Sequence, residues 1–425
     1  MKLKQAYQNI KFIDGGVCAA KGFRASGVYC GIKKPLIDNQ DPNRPHKNDI
    51  CLVVSDVLAN TAAVYTQNKV KGAPILVTKE NLSKTCGKAR AIIANSKNAN
   101  TCNADGEEKA REMCRLAANG LGILPEEVVV ASTGVIGQIL PIEPIAAAIE
   151  PLCASLSYTG NEAAATAIMT TDTVKKEVAV EFEIGGKICR LGGMAKGSGM
   201  IHPNMATTLN FITTDAAIST ELLAKALGRV VKITYNCLSV DGDTSTNDMV
   251  SVMANGMAEN TEITEADNGE YRLFENALYT VMMNLTRMLA KDGEGATKLL
   301  ECMVSGAKDT NTAITVAKSI IRSPLLKCAM FGADANWGRI LCAIGYADAD
   351  FEINRVNVSL SSEAGSVRVC ENGSGCFFSE EEAKKILLKD EISILVSIGS
   401  GIGEATAWGC DLTYDYVKIN GDYRS

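Results

Sequence analysis

The stretch KGSGMIHPNMATT, residues 196–208, holds the residues best suited to nucleophilic chemistry. Its small residues 197–199 are followed by Pro203 and by Ala206, which directly precedes two threonines. A threonine hydroxyl is a weak nucleophile unless a base lies beside it. Cutting the peptide bond before the threonine supplies that base, because the freed α-amine has a pKa of about 8. On the pattern alone, a β-branched strand that begins after a turn is still favoured.

Histidine and cysteine chemistry is poorly supported. The chain has only two histidines, His46 and His202, and His46 lies in DPNRPHKND, which is typical of an exposed loop. Its fifteen cysteines are scattered and form no CxxC pair. A zinc site is therefore not predicted, and the thiols are expected to be free, mostly buried and kept in a reducing cytoplasm. A threonine that carries its own base suits a chain with so few histidines.

Three further clusters could hold chemistry. GSGIGE (399–404) has GxGxG spacing, and too little chain follows it for a dinucleotide fold, so a strand-end turn is favoured. DGDTSTND (241–248) could bind Mg²⁺ and phosphate, but side-chain turns that satisfy a buried loop are favoured. In DGEGATK (292–298), a helix is expected to end at Gly293. Glu294 is then expected to be an exposed carboxylate suited to a substrate ammonium group.

Composition limits the class of function. The chain has 425 residues, of which 46% are hydrophobic and 22% charged, and its net charge of −6 is spread without a basic block. A nucleic-acid binder is therefore not expected, and a small polar substrate is. No run approaches the roughly 18 apolar residues of a membrane span, and the start lacks the apolar core of a secretory signal. We expect a cytoplasmic protein.

The elements that position these residues are strands and helices in irregular order. Strands are predicted at 27–32, 50–57, 127–132 and 176–184 and in LNFITTDAAI, LLECMV and EISILVSI. Helices are predicted at 105–123, with a stop at Asn119-Gly120, at 141–156, and in ELLAKALGRVVKITYNCLSV, LFENALYTVMMNLTRMLAK and EEEAKKILLK. The Pro-rich segment 41–46 is predicted to be a loop. Because strict βαβ alternation is missing, α+β layers are favoured over a doubly wound sheet.

The motifs together resemble one family. KGSGMIHPNMATTLNF is similar to the self-cleavage segment of the ornithine acetyltransferase family, the bifunctional glutamate N-acetyltransferase/amino-acid acetyltransferases of arginine biosynthesis. The resemblance continues in order through ASTGVIG (131–137), MTTDT (169–173), DGDTSTND, DGEGATK, FGADANWGRI (331–340) and ATAWGCDLTYDYVKINGDYRS. The sequence departs from the family in small ways, such as Thr208 where Met is common.

The resemblance implies a fold, a processing event and a set of site residues. The fold would be a layered α/β sandwich of the self-cleaving N-terminal-nucleophile-like (DmpA/ornithine acetyltransferase-like) type. Autocatalytic cleavage between Ala206 and Thr207 would give chains 1–206 and 207–425, associated as an α2β2 heterotetramer. Thr207 would be the nucleophile, and Thr133 and Gly134 would form the oxyanion hole. The substrate-binding positions would be Thr173, Lys196, Thr207, Glu294, Asn420 and Ser425. No metal or cofactor is expected.

The implied reaction moves the acetyl group of N2-acetyl-L-ornithine to L-glutamate through an acetyl-threonine intermediate. Relatives differ in whether acetyl-CoA is also a co-substrate, and both activities stay open here. A self-processing aminopeptidase or amide hydrolase with the same threonine is the alternative, and a non-enzymatic binding protein is a third. Asp334, Asn336 and Arg339 of FGADANWGRI are expected to serve the scaffold or subunit contacts, since the reaction needs none of them.

Overall fold

The computed structural model describes residues 1–32, 47–202, 208–266 and 268–422. The predicted loop at 41–46 with His46, the Ala206–Thr207 bond and Ser425 lie outside these residues.

The strands within the described residues are β1 (Lys11–Ile13), β2 (Phe23–Val28), β3 (Ile50–Tyr65), β4 (Lys88–Asn95), β5 (Val128–Ser132), β6 (Lys176–Ile184), β7 (Lys187–Lys196), β8 (Leu209–Thr214), β9 (Leu238–Ser239), β10 (Met249–Ala254), β11 (Leu299–Ala307), β12 (Asn357–Ser362), β13 (Gly365–Glu371), β14 (Ser374–Gly375), β15 (Glu391–Ser397) and β16 (Gly403–Cys410). The helices are α1 (Ala73–Lys84), α2 (Gly106–Leu121), α3 (Ile142–Ala154), α4 (Asn161–Ala167), α5 (Thr220–Ile233), α6 (Gly269–Lys291), α7 (Thr310–Ile321), α8 (Pro324–Phe331), α9 (Trp337–Gly345), α10 (Glu380–Leu387) and α11 (Tyr414–Gly421).

The chain divides into two compact units. The first comprises Met1–Gly197, Asn204–Val231 and Thr244–Leu285, and the second Ser198–Pro203, Lys232–Asp243 and Thr286–Ser425. These units are defined by packing, whereas the predicted division into chains 1–206 and 207–425 concerns the covalent backbone. That division stays a prediction.

The first unit is built on a mixed sheet with the strand order β1-β6-β7-β8-β10-β3-β4-β5, and β2 also pairs with β3. Successive residues of β3 face opposite sides of this sheet, as in any strand. Ile50 and Leu52 pack in one apolar cluster with residues of α2 and α3, while Cys51 and Val53 pack in another with alanines of α4. Both faces of the sheet are therefore covered, which explains why β3 begins as an almost continuous apolar run.

The second unit has its own mixed sheet, ordered β14-β13-β12-β15-β11-β16-β9. Central β11 pairs in parallel with β15 and antiparallel with β16. Helix α7 packs against β11 and β16, and α10 packs against β12 and β13. Two mixed sheets with helices packed on them confirm the predicted α+β class. No helix among the described residues combines the length and apolar composition needed to cross a membrane.

Most predicted elements are confirmed, and the corrections concern where elements end. The helix predicted in ELLAKALGRVVKITYNCLSV ends at Ile233, because Leu238 and Ser239 pair with β16 as the short strand β9. The strand predicted at 27–32 ends at Val28, because the N–H groups of Cys30, Gly31 and Ile32 donate to the Asp49 carboxylate at 2.6, 3.1 and 3.0 Å instead of to another strand.

The stop predicted at Asn119-Gly120 is also wrong. Helix α2 continues to Leu121, and Gly122, with a φ of 68°, takes the left-handed conformation that ends it.

Candidate active site

Thr133 and Gly134 follow β5 in a tight turn. The Thr133 N–H donates to the carbonyl oxygen of Asn95 at 3.0 Å. Gly134 has a φ of 135°, and a Cβ there would lie 2.2 Å from the carbonyl carbon of Lys97, so only glycine fits. Among the described residues, neither the Thr133 hydroxyl nor the Gly134 N–H has a hydrogen-bond partner. Two adjacent groups that can donate hydrogen bonds are thus unpaired in this part of the structure, and the oxyanion hole implied by the resemblance stays a prediction.

The buried amide of Asn247 connects this turn with β10. Its Nδ2 donates to the carbonyl oxygen of Ser132 at 3.0 Å, and its Oδ1 accepts from the Thr101 hydroxyl at 2.5 Å. Sequence reasoning did not single out Asn247, although it lies in DGDTSTND. Its contacts support the structural interpretation of that motif at this position, where a buried side chain satisfies backbone and hydroxyl groups of the loop.

Asp172 links two predicted substrate-binding positions, Thr173 and Lys196. Its Oδ1 accepts from the Lys176 ammonium and from the Gly197 N–H, both at 2.7 Å. Burial raises the pKa of Asp172, but the charges of Lys176 and Lys196 outweigh it, so the pKa lies below the usual value of an aspartate. The ammonium group of half-buried Lys196 has no hydrogen bond or ion pair within the described residues, which leaves it available for a substrate carboxylate.

The start of β8 lies between the last residue of β7 and the first residue of β10. Leu209 pairs with Lys196 of β7 on one side and with Met249 of β10 on the other. The preceding Thr208 is buried, its hydroxyl accepts from the Asn210 amide, and its carbonyl oxygen accepts from the Met249 N–H at 3.0 Å. The Thr208 hydroxyl is therefore already engaged within this part of the first unit.

Asp248, which directly precedes β10, was not a predicted site residue. Its carboxyl group is buried, and Oδ2 has no hydrogen-bond partner within the described residues. Burial raises the pKa of Asp248 well above its usual value, while a hydrogen bond from Ser245 and the charge of Lys196 lower it only in part.

Glu294 and Asn420 come together in the second unit. The Asn420 amide donates to Oε2 of Glu294 at 2.8 Å, and the Glu294 N–H donates to the carbonyl oxygen of Ser198 at 2.8 Å. A Cβ on Gly199 would lie 2.3 Å from the same carboxylate. Glu294 is only 7% exposed, so the expectation of an exposed carboxylate is wrong: the loop after α6 folds inward. A buried carboxylate still suits a cation, because Coulomb attraction strengthens away from water.

Asp241 holds the described part of the predicted cleavage segment, upstream of the Ala206–Thr207 bond. Its carboxylate accepts from the N–H groups of Met200 at 2.7 Å and Ile201 at 2.9 Å, and from the Tyr416 hydroxyl at 3.3 Å. Nearby, Nδ1 of His202 lies 3.0 Å from the Ser239 hydroxyl. Burial, followed by the charges of Lys318 and Arg322, lowers the pKa of His202 to about 4, so its ring is neutral at pH 7.

Comparison with known proteins identifies the family. The model of the ArgJ family matches residues 24–425. The chain belongs to the ArgJ family. Membership confirms the resemblance predicted from the motifs and the predicted enzyme class, an acetyltransferase of arginine biosynthesis.

Individual ArgJ relatives match along nearly the whole chain. The arginine biosynthesis bifunctional protein ArgJ of Caldanaerobacter subterraneus subsp. tengcongensis is 51% identical over 417 residues, covering 98% of this chain and 100% of the relative. That of Bacillus subtilis is 46% identical over 414 residues, covering 97% of each. The crystal structure of ornithine acetyltransferase from Mycobacterium tuberculosis complexed with ornithine is 36% identical and covers 46% of this chain and 100% of that chain, with a TM-score of 0.41.

The remaining motifs of this ArgJ chain have structural roles. Residues 399–402 form the bend between β15 and β16, where a Cβ on Gly401 would lie 2.0 Å from the carbonyl oxygen of Ala307. Asn336 caps α9, and Arg339 donates to the carbonyl oxygen of Leu325 at 2.7 Å. Among the described residues, no three His, Cys, Asp or Glu side chains are grouped to hold a metal ion.

Proposed function

We propose that the chain transfers the acetyl group of N2-acetyl-L-ornithine to L-glutamate through an acetyl-threonine intermediate on Thr207. The observation that carries the proposal is the turn with its two adjacent donors, the Thr133 hydroxyl and the Gly134 N–H. The names of the relatives, arginine biosynthesis bifunctional proteins, support the substrate class.

The first half-reaction begins after the bond between Ala206 and Thr207 is cut. The freed α-amine of Thr207 takes the hydroxyl proton while the oxygen attacks the acetyl carbonyl. The negative charge that forms on the carbonyl oxygen is stabilised by the donors of Thr133 and Gly134, each worth about 3–4 kcal/mol in the transition state. The carbon–nitrogen bond then breaks, the protonated α-amine returns its proton to the leaving amine, and ornithine departs.

The second half-reaction reverses these roles. The amine of glutamate attacks the acetyl-threonine and gives a proton to the α-amine of Thr207. The bond between the Thr207 oxygen and the acetyl carbon breaks, the α-amine returns the proton to that oxygen, and N-acetylglutamate leaves. Because one pocket receives both amino acids, it must recognise the α-carboxylate that they share. We assign this group to Lys196 with Thr173, and the side-chain ammonium of ornithine to Glu294. Asn420 and Ser425 complete the substrate-binding set.

The proposal extends to processing and assembly. Chains 1–206 and 207–425 would remain associated as an α2β2 heterotetramer in the cytoplasm and work without a bound cofactor.

Acetyl-CoA as a second acetyl donor is tested by incubating the purified protein with glutamate and acetyl-CoA alone. Formation of N-acetylglutamate would make the enzyme bifunctional.

Cleavage and transfer are tested together. Purified protein should give two fragments of nearly equal size on a denaturing gel, and mass spectrometry should find a new terminus that starts TTLNF. Thr207→Ala should remain full length and transfer no acetyl group. Thr208→Val is the matched control and should cleave and transfer acetyl normally. Fully active wild-type protein that is still full length would refute the proposal.

The hydrolase alternative differs in its acceptor. A hydrolase would release free acetate from acetylornithine at the same rate with and without glutamate. The transferase consumes acetylornithine steadily only when glutamate is present, so the acceptor dependence separates the two.

A further inference from the structure

The loop 170–176 is closed by a single buried carboxylate that has no assigned role in the reaction. The Asp172 side chain is 0% exposed. Its Oδ1 accepts from the Lys176 ammonium at 2.7 Å and from the Gly197 N–H at 2.7 Å, and its Oδ2 accepts from the Thr170 N–H at 3.0 Å. Both carboxylate oxygens thus accept hydrogen bonds, Oδ1 from Lys176 and Gly197 and Oδ2 from Thr170.

These contacts fix two separate pieces of chain. Lys176, whose side chain is also 0% exposed, forms its ion pair with Asp172 across the exposed Thr173. The bond to Gly197 joins the same carboxylate to the residue directly after Lys196. Asp172 therefore joins the segment that contains Thr173, its immediate neighbour, to the segment that ends β7 at Lys196.

Stability alone explains this arrangement poorly. Removing two charges from water costs several kcal/mol per ion, and a buried ion pair is often no more stabilising than apolar residues of the same volume. Geometry explains it better, because a carboxylate with three fixed donors has one orientation. The two residues that it holds are the ones assigned to the substrate α-carboxylate.

We propose that Asp172 is a positioning residue that holds Thr173 and Lys196 at the spacing needed to bind the α-carboxylate of both amino-acid substrates. The inference rests on the proposed function. Asp172 contacts no substrate itself and acts through its two neighbours. Since acetylornithine and glutamate share the α-carboxylate, loss of this spacing must affect both half-reactions alike.

The test uses Asp172→Asn. Asparagine has one acceptor oxygen where aspartate has two, so it cannot accept from Thr170 and Gly197 at once. We expect kcat/KM for acetylornithine and for glutamate to fall by the same factor, about 10- to 100-fold, mainly through KM. The fragments produced by self-cleavage should still form.

Two further variants make the result decisive. Asp172→Asn combined with Lys176→Met removes the unpaired buried charge and should regain the wild-type melting temperature without regaining kcat/KM. Asp56→Asn, which alters a carboxylate that contacts Arg24 and Tyr158 in the same unit, should leave kcat/KM unchanged.

Three results would overturn the inference: unchanged kcat/KM in Asp172→Asn, a loss confined to one substrate, or recovery of kcat/KM in the double variant. Failure of the proposed function would show in the wild type instead, as absence of both cleavage and transfer.

Discussion

Gly134 is the described residue at which a substitution tests the proposed chemistry most directly. In Gly134→Ala, the new methyl group would lie 2.2 Å from the backbone of Lys97 and would displace the turn that carries both oxyanion donors. We expect kcat to fall about 10²- to 10³-fold in the coupled assay with acetylornithine and glutamate. Gly137→Ala is the matched control, because Gly137 also has a positive φ, 77°, but open space around it. Equal activity of the two variants would contradict the assignment.

The carboxyl group of Asp248 gives a prediction about pH. Its pKa is raised in the folded protein, so the folded state binds this proton more tightly than the unfolded state. Stability is therefore lost as pH rises from the unfolded pKa of about 4 toward the folded value. Asp248→Asn should raise the free energy of unfolding by about 1–3 kcal/mol at pH 7, and the gain should vanish below pH ~4.

Urea unfolding of both proteins between pH 4 and 8 measures this gain. Exposed Asp243→Asn, changed in the same way, should show no such trend. If Asp248→Asn raised the free energy of unfolding equally at every pH, the buried charge of the carboxylate would be excluded as the cause of the gain.

At the scale of elements, a buried network holds the sheet of the second unit to α6. Oε1 of Glu301 in β11 accepts from Nε of Arg287 at 3.0 Å and from the Trp408 indole N–H of β16 at 2.8 Å. Glu301→Gln should lower the free energy of unfolding by about 2 kcal/mol, the size expected for charged hydrogen bonds, because Arg287 keeps its ion pair with Glu391.

Urea titration measures the loss caused by Glu301→Gln. Glu381→Gln, which removes an exposed pair with Lys385, is the control and should leave the urea midpoint in place. A shared midpoint for the two variants would show that the network does not hold the sheet.

Local patterns predicted the elements wherever the determining contacts are local. The alternation in 176–184 predicted β6, and Gly185 and Gly186 both have the positive φ that its turn needs. Predictions failed where a distant group decides the outcome. Asp49 takes the N–H groups that would have prolonged β2, and Glu294 is buried by contacts with Ser198 and Asn420.

The site was predictable only in part for the same reason. Thr173 and Lys196 were predicted from their resemblance to a family motif, and their roles stay predictions. Asp172 lies inside MTTDT, yet its importance depends on a bond to Gly197 that no local pattern reveals.

At the scale of the whole molecule, the predicted site residues are divided between the two units. Thr133, Gly134, Thr173 and Lys196 belong to the first, and Glu294 belongs to the second with Asn420. The division matches a division of chemical tasks in the proposal. In the proposal, the first unit supplies the oxyanion donors and the group that binds the shared carboxylate. Glu294 of the second unit supplies the charge that distinguishes ornithine from glutamate.

This division predicts opposite effects on the two substrates when Glu294 is changed. Glu294→Gln removes the negative charge that attracts the ornithine ammonium group, so KM for acetylornithine should rise about tenfold, the effect of losing about 1.4 kcal/mol. The same change removes repulsion of the glutamate side-chain carboxylate, so KM for glutamate should fall. Steady-state kinetics with each substrate varied in turn measures both constants. Glu404→Gln, at an exposed position near the start of β16, should alter neither. Parallel shifts of the two constants in Glu294→Gln would mean that Glu294 does not distinguish the substrates by charge.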